Sequence, residues 1–277
     1  MGIGGAAIAT LASQLMQTLL LAIVVQRKRA KAGAGTSWLL LRGWPNRKRL
    51  LKFVTFAGPI FLVLIGKISC YNAMTLAATT NGVIALAAHQ AMISVFFLGC
   101  KFGDAVSQTS QAYLPAGYDL DSTGDVAYGG GSGQSRPPAR AQRLSGRLLR
   151  LSTVSGAIVS LLAYGFTTNF ATVFTSDPAV LAAMASCAPL IFLALLLHSS
   201  TMCSEGLLLA SRQLKFLART YAVNVLLFLS SLFFIAKSKL GLQAVWKGLF
   251  AFQLVRLITF ATRLRMGGLA WRKADAE

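Results

Sequence analysis

Acidic side chains are scarce in this chain of 277 residues, which has eight Asp and Glu against 27 Lys and Arg. Charged residues make up only 13% of the sequence, roughly half the fraction that is usual in soluble domains. Hydrophobic residues make up 55%, and they fall in long runs rather than in alternating or 3.6-residue patterns. This composition excludes an ordinary soluble domain and predicts an all-α integral membrane protein.

Cysteine and histidine are also few, at four and two residues. The cysteines, Cys70, Cys100, Cys187 and Cys203, all lie inside apolar runs, and no two form a C-x-x-C pair. We therefore expect small buried thiols, with no metal site and no cofactor. The sequence has no H-E-x-x-H, G-x-S-x-G or phosphate-loop motif, so we do not expect an enzyme.

The net charge of +19 does not indicate nucleic-acid binding, because the basic residues cluster between apolar runs and are not interleaved with aromatic residues. Seven apolar segments, each long enough to cross a hydrocarbon core of about 30 Å, are found at roughly 3–25, 53–77, 83–104 (or to 114), 148–168, 180–210, 217–236 and 242–262. Seven spans would place 21 Lys and Arg in the connections on one side and two on the other. The positive-inside rule predicts this asymmetry and places the C-terminus on the positive side.

Polar residues continue along the third segment beyond its apolar part. At 100° per residue they form one stripe, which consists of Gln90, Ser94, Lys101, Asp104, Gln108 and Gln111. Lys101 and Asp104 are three residues apart and can form a local ion pair. Two interpretations stay open: the helix lines a water-filled cavity, or it extends beyond the membrane with Asp104 only holding Lys101.

The fifth segment carries a second polar face, formed by His198, Thr201, Glu205 and Arg212. A carboxylate at membrane depth is suited to carry a proton, and a neighbouring imidazole can share it. The alternative for Glu205 is a structural ion pair with Arg212, two turns away. The alternative for His198 is a core histidine that donates to a backbone carbonyl.

Lys67 lies in the middle of the second segment, too deep to reach water easily. It requires a carboxylate partner or an anionic ligand. Elsewhere, Asp177 followed by Pro178 is typical of a helix N-terminus. Residues 117–141 are rich in Gly, Ser, Pro and Asp, a composition typical of a flexible loop.

Three stretches together resemble the MATE family (multidrug and toxic compound extrusion). "GGAAIATLASQLM" at 4–16 resembles the start of its sixth helix, and "LAAHQAMISVFFLGCKFGDAVSQTSQAYLP" at 86–115 resembles its eighth. "CSEGLLLASRQLKF" at 203–216 resembles its tenth helix. The eighth-helix stretch is most similar to the plant plastid and DinF-like branch.

This resemblance implies a known architecture. The family has twelve helices in two lobes, with substrate passing between them, and exchanges protons or sodium ions for organic cations, organic acids or phenolic compounds. Residues 1–26 would be the last helix of an otherwise missing N-terminal lobe, and 27–52 a basic loop. Residues 53–265 would be the six-helix C-terminal lobe with its loop at 117–141, and 266–277 a polar tail.

The sequence departs from the family pattern in two ways. The first five helices are absent, including the helix whose aspartate is implicated in proton coupling in bacterial DinF-like relatives. The acid of the seventh helix in other branches is not seen, and Lys67 occupies that span, which favours an anionic substrate such as an organic acid or a phenolic compound. The residues we expect along the substrate or ion pathway are Lys67, Gln90, Lys101, Asp104, Gln108, Gln111, His198 and Glu205.

The expected partners are the lipid bilayer, a small organic substrate, and a coupling proton or sodium ion, with no nucleic acid. The resemblance also implies a multi-pass location in the chloroplast envelope or another plastid membrane. Two alternatives to a fragment of a full antiporter stay open. One is a truncated product that does not transport, and the other is a half-transporter that needs a missing N-terminal lobe or a second copy as its partner.

Overall fold

A computed structural model of the chain describes residues 2–31, 46–115 and 139–268. These residues form seven long α-helices: α1 Gly2–Lys31, α2 Arg47–Thr79, α3 Val83–Tyr113, α4 Ala139–Asn169, α5 Pro178–Ala210, α6 Leu214–Lys237 and α7 Leu242–Arg263. A short 3₁₀ turn at Ala171–Val173 joins α4 to α5, and a π-helical turn at Leu264–Gly268 follows α7. Each of the seven long helices is long and apolar enough to cross a membrane, so the predicted all-α class with seven spans is confirmed.

The chain divides into two compact units, residues 1–53 and 54–277. The first unit contains α1, whose span-like part is Ala7–Arg27, together with the start of α2. The second unit contains the remainder of α2 and helices α3 to α7, and we call it the lobe. The packing and the polar groups described below all belong to this second unit.

The helices extend beyond the apolar runs that predicted them. α4 begins at Ala139, nine residues before the predicted 148, because its first turns are amphipathic and bury only Ala141, Ser145 and Leu148 among more polar neighbours. α3 continues to Tyr113, so the longer of the two predicted ends of this helix is correct. The Gly- and Pro-rich loop at 117–141 lies largely outside the described residues, as do residues 32–45 of the basic loop and 269–277 of the tail.

The predicted start of α5 is confirmed. Asp177 is the N-cap, and its Oδ1 accepts a hydrogen bond of 2.9 Å from the backbone nitrogen of Ala179. Pro178 occupies the first turn, where a missing backbone N–H leaves no hydrogen bond unmade.

Helix α5 is the centre of the lobe, packing against α3, α4 and α7. Small residues allow its backbone to approach α3 very closely. A Cβ atom at Gly206 would lie 2.6 Å from the carbonyl oxygen of Ser107, and one at Gly103 would lie 3.1 Å from the Cα of Ser199. Such small-residue contacts are typical of helix pairs in membranes, where close van der Waals packing drives association. The four cysteines, Cys70 on α2, Cys100 on α3, and Cys187 and Cys203 on α5, are free, buried thiols, as predicted.

Two tight turns meet at one end of the lobe. The backbone nitrogen of Gly241, before α7, donates to Asn81 Oδ1, between α2 and α3, over 2.9 Å. Gly82 and Gly241 have φ angles of 97° and 86°, a conformation that favours glycine. The C-terminal ends of α3, α5 and α7 lie at the opposite end of the lobe, because these helices run the same way along the bundle.

Candidate functional site: a buried charged cluster

Four helices each contribute one side chain to a polar cluster inside the lobe. Nζ of Lys67, on α2, lies 2.7 Å from Glu205 Oε1, on α5. The guanidinium of Arg256, on α7, lies 2.7 Å from Glu205 Oε2. The hydroxyl of Tyr221, on α6, donates to the same Oε2 and also contacts the Arg256 guanidinium. We call these four residues the charged cluster.

Burial differs among the members of the charged cluster. The side chain of Arg256 is 1% exposed and that of Glu205 is 5% exposed, whereas the side chain of Lys67 is 20% exposed. Both oxygens of the carboxylate are engaged, so the buried negative charge is compensated from three directions. Two cations against one carboxylate leave the cluster with a formal charge of +1, and Lys67 is its most accessible charged group.

Aromatic rings and a thioether surround the two cations. The Arg256 guanidinium lies 4.9 Å from the ring centroid of Tyr221 and 5.2 Å from that of Phe252. Such contacts partly replace the water that a buried cation loses. The sulfur of Met202 lies 3.7 Å from Lys67 Nζ and 3.8 Å from an Arg256 nitrogen, and so fills the space between the cations.

A hydrogen-bonded chain extends the cluster toward the middle of the lobe. Arg256 donates to Gln253 Oε1 over 2.7 Å, and Gln253 Nε2 lies 2.7 Å from Nδ1 of His198. Because an amide nitrogen can only donate, Nδ1 of His198 is the acceptor in this contact. His198, Glu205 and Arg256 are thus parts of one network that joins α5 to α7.

Helical spacing explains why these side chains converge. His198, Met202 and Glu205 follow one another at four and three residues on α5, and Gln253 and Arg256 are three residues apart on α7. Residues at these spacings share one face of a helix. The two faces point toward each other across the α5–α7 interface.

One of the alternatives drawn from the sequence is wrong. Glu205 pairs with Lys67 and Arg256 rather than with Arg212, because α5 ends at Ala210 and Arg212 lies in the following turn with a φ of 57°. This correction arises because helices distant in sequence supply the partners. His198 is buried in the core of the lobe, and its Nδ1 accepts a hydrogen bond from the side chain of Gln253.

The polar stripe of α3 lies on the surface of the lobe rather than in the charged cluster. Asp104 is half-buried and its carboxylate lies 3.8 Å from Lys101 Nζ, so the local ion pair forms as a long contact. The Lys101 side chain is 76% exposed. The other members of the stripe are likewise exposed, namely Gln90, Ser94, Gln108 and Gln111.

Sequence reasoning missed three members of the network: Tyr221, Gln253 and Arg256. Arg256 carried a readable signal, because it is a charged residue inside an apolar segment, as Lys67 is. The same argument that selected Lys67 applies to it. Tyr221 and Gln253 have no comparable signal, since neutral polar residues are common in membrane helices. Among the residues that the structure describes, no group of three or more His, Cys, Asp or Glu side chains is placed to hold a metal ion.

Comparison with known proteins finds two plant proteins that this chain resembles along nearly all of its length. The chain is 28% identical over 267 residues to Protein DETOXIFICATION 47, chloroplastic, of Arabidopsis thaliana. This alignment covers 96% of this chain and 46% of that protein. It is 24% identical over 275 residues to Protein DETOXIFICATION 43 of the same plant, covering 98% of this chain and 47% of that protein. No family model and no solved structure gives a significant match.

The chain therefore spans about half the length of the curated relatives it matches, and both alignments run along nearly all of it. The expected resemblance to this family is confirmed. The chain is a multi-pass membrane protein that is similar to the MATE/DETOXIFICATION proteins over about half of their length.

Proposed function

We propose that the chain is one lobe of a secondary active antiporter that exports small organic compounds in exchange for protons or sodium ions. The observation that carries this proposal is the alignment with Protein DETOXIFICATION 47, chloroplastic, over 96% of the chain. In this assignment residues 53–265 are the six-helix C-terminal lobe, and 1–26 are the helix before it. The word chloroplastic in that name, with the asymmetry of basic residues, supports a plastid membrane with the C-terminus on the stromal side.

The charged cluster provides a physical basis for coupling. Lys67 joins α2 to α5 through an ion pair, whereas Arg256 joins α7 to the same carboxylate. Protonation of Glu205 would remove the one negative charge and leave two cations side by side. Their repulsion would favour a state in which α2 is displaced from α5, which is how a bound proton biases one of two conformations.

The same cluster supports an anionic substrate. Its formal charge is +1, and Lys67 presents the accessible part of that charge. Lys101 adds a second exposed cation on the polar stripe of α3, and Gln90, Gln108 and Gln111 add amide groups that can hydrogen-bond carboxylate or phenolic oxygens. Organic acids and phenolic compounds fit this surface better than organic cations.

Transport in proteoliposomes tests the proposal. The chain would be purified both as given and in any longer in-frame form that its transcript encodes, and reconstituted with an imposed pH or sodium gradient. Uptake of radiolabelled benzoate by the form that contains both lobes would be compared with uptake of a cationic dye. We expect gradient-driven benzoate transport that Lys67→Met reduces at least tenfold. Lys237→Met, at the exposed end of α6, is the matched control and leaves transport unchanged. Preference for the dye would contradict the anionic assignment.

Further measurements separate one lobe of a longer transporter from a half-transporter and from a product that does not transport. Transcripts would be mapped upstream of the codon for Met1, and the reconstituted chain would be cross-linked. An in-frame extension that encodes further spans supports a longer antiporter. Cross-linked dimers that transport support a pair of half-transporters. Absence of transport by the chain and by any extended form would contradict the proposed function.

A further inference from the structure

A second polar group lies at the other end of the lobe, close to the joined turns at Asn81 and Gly241. It consists of Thr75 on α2, His89 on α3 and Trp246 on α7. The Oγ1 of Thr75 is 3.3 Å from Nε2 of His89, and the ring centroids of His89 and Trp246 are 5.8 Å apart. We call these three residues the neutral pocket.

Two nitrogen atoms in the neutral pocket have no hydrogen-bond partner. Nδ1 of His89 and Nε1 of Trp246 are both inaccessible to solvent and unpaired among the described residues. Both residues are 0% exposed. Buried polar groups in proteins are nearly always paired, and where the protein supplies no partner an ordered water commonly does.

The surroundings of the neutral pocket exclude a charged occupant. Among the described residues, the contacts of the His89 ring are with the hydroxyl of Thr75 and the ring of Trp246, neither of which is charged. The charged cluster is distant, since Trp246 and Arg256 are ten residues apart on α7, about 15 Å along the helix axis. An ion placed beside His89 would be buried without a counter-charge, which is strongly unfavourable.

The hydrogen-bond roles define the occupant further. The hydroxyl of Thr75 lies 3.3 Å from the carbonyl oxygen of Tyr71, to which it donates, so its oxygen is free to accept from Nε2–H of His89. This arrangement leaves Nδ1 of His89 as an acceptor, whereas the indole N–H of Trp246 is always a donor. One oxygen that both donates and accepts satisfies the two together.

We propose that the neutral pocket is a binding site for a single neutral hydroxyl group, bound between Nδ1 of His89 and Nε1 of Trp246. The hydroxyl group comes from a water molecule or from a small alcohol or phenol. This site is separate from the charged cluster and does not depend on the transport function proposed above.

The state of the Trp246 indole N–H tests the proposal directly. The full 277-residue chain would be purified in detergent with Trp38, Trp44 and Trp271 replaced by Phe, so that only Trp246 reports. Ultraviolet resonance Raman spectra show whether the indole N–H is hydrogen-bonded. We expect a hydrogen-bonded indole, and we expect its N–H to exchange when the protein is moved into D₂O.

Titration distinguishes the two sources of the hydroxyl group. A saturable change in the indole band with phenol, absent with benzene, assigns the site to an organic hydroxyl that displaces water. A band that phenol leaves unchanged, together with exchange in D₂O, assigns the site to water. An indole N–H that is not hydrogen-bonded would overturn the proposal, as would one that fails to exchange over days.

Two variants link the signal to His89. His89→Leu removes the acceptor, and we expect the hydrogen-bond shift of the indole band to be lost. Phe96→Leu is the matched control, because the Phe96 ring packs edge-on against Trp246 at 6.0 Å but offers no polar atom. It is expected to retain the shift. Equal loss in both variants would overturn the role of His89, and the measurements with His89 intact stand even if His89→Leu does not fold.

Discussion

The charged cluster and the neutral pocket use the same helices in different ways. In the charged cluster, α2, α5, α6 and α7 each supply a group to one carboxylate, and both of its oxygens are engaged. In the neutral pocket, α2, α3 and α7 supply a hydroxyl, an imidazole and an indole, and two nitrogens have no partner within the part of the chain that the structure describes. The buried carboxylate is compensated by several fixed partners, whereas a single hydroxyl group can fill the gap beside the two neutral nitrogens.

Helix α2 takes part in both regions. Lys67 reaches the charged cluster and Thr75, two turns later, reaches the neutral pocket. Its backbone approaches the other helices less closely than α3, α4 and α5 approach one another. The attachment of α2 therefore combines these two polar side chains with apolar ones, since Cys70, Met74, Ala77 and Ala78 are buried in the hydrophobic core.

Arg256→Met in the charged cluster is expected to cause the largest loss of stability. This change leaves Glu205 buried with only one cation, and breaking a buried ion pair costs about 3–5 kcal/mol. Unfolding in detergent, followed by circular dichroism, measures the loss. Arg265→Met, at an exposed position after α7, is the control and should change stability by less than about 0.5 kcal/mol. Equal stability of the two variants would mean that Arg256 does not hold the cluster.

Gly206→Ala should have the next largest effect, because Gly206 directly follows Glu205 where α5 approaches α3. The added Cβ would lie 2.6 Å from the Ser107 carbonyl oxygen, and the backbone must move to admit it. Overpacking of this kind costs about 1–3 kcal/mol. Gly165→Ala, with no atom within 4 Å of the new Cβ, should be neutral or slightly stabilising in the same unfolding measurement.

Lys67→Met should reduce stability less than Arg256→Met does, because Glu205 keeps Arg256 and Tyr221 as partners. We expect a loss of about 1–2 kcal/mol, typical of a hydrogen bond to a charged group that is partly exposed. The same unfolding measurement, made at low and high salt, checks both the loss and its origin. A loss as large as that of Arg256→Met would show that the two cations are equally necessary.

In the neutral pocket, Thr75→Val keeps the shape of the side chain and removes the hydroxyl that pairs with His89. We expect the free energy of unfolding to fall by about 1 kcal/mol, independently of salt, because no charge takes part in this contact. Thr79→Val, an exposed position one turn further along α2, is the control. A salt-dependent loss would indicate an unrecognised charge at this end of the lobe.

The smallest effect is expected from Asp104→Asn on the polar stripe of α3. The pair with Lys101 is long and exposed, so its removal should change stability by less than about 0.5 kcal/mol. Transport should distinguish its two possible roles. If Asp104 only holds Lys101, Asp104→Asn and Lys101→Met will affect transport alike, whereas a proton-handling Asp104 will affect coupling alone.

Much of the fold could be predicted from the sequence, because the hydrophobic runs record membrane depth directly. The helix ends could not be located as well. The first turns of α4 are polar enough to leave the apolar window, yet they bury Ala141, Ser145 and Leu148 against other helices. The site was predicted only in part, since Lys67 and Glu205 stand out as charges in apolar segments, while Tyr221 and Gln253 resemble ordinary polar residues.

The sequence by itself determined that this chain is a membrane protein with seven helical spans, which residues are costly to bury, and which transporters it resembles. Each of these follows from local composition or from the order of short motifs. Only the tertiary structure decided that Glu205 pairs with Lys67 and Arg256 rather than with Arg212, and that His89 meets Trp246. Those contacts join residues 51 to 157 positions apart. Partners so distant are chosen by how the helices pack, which no single segment specifies.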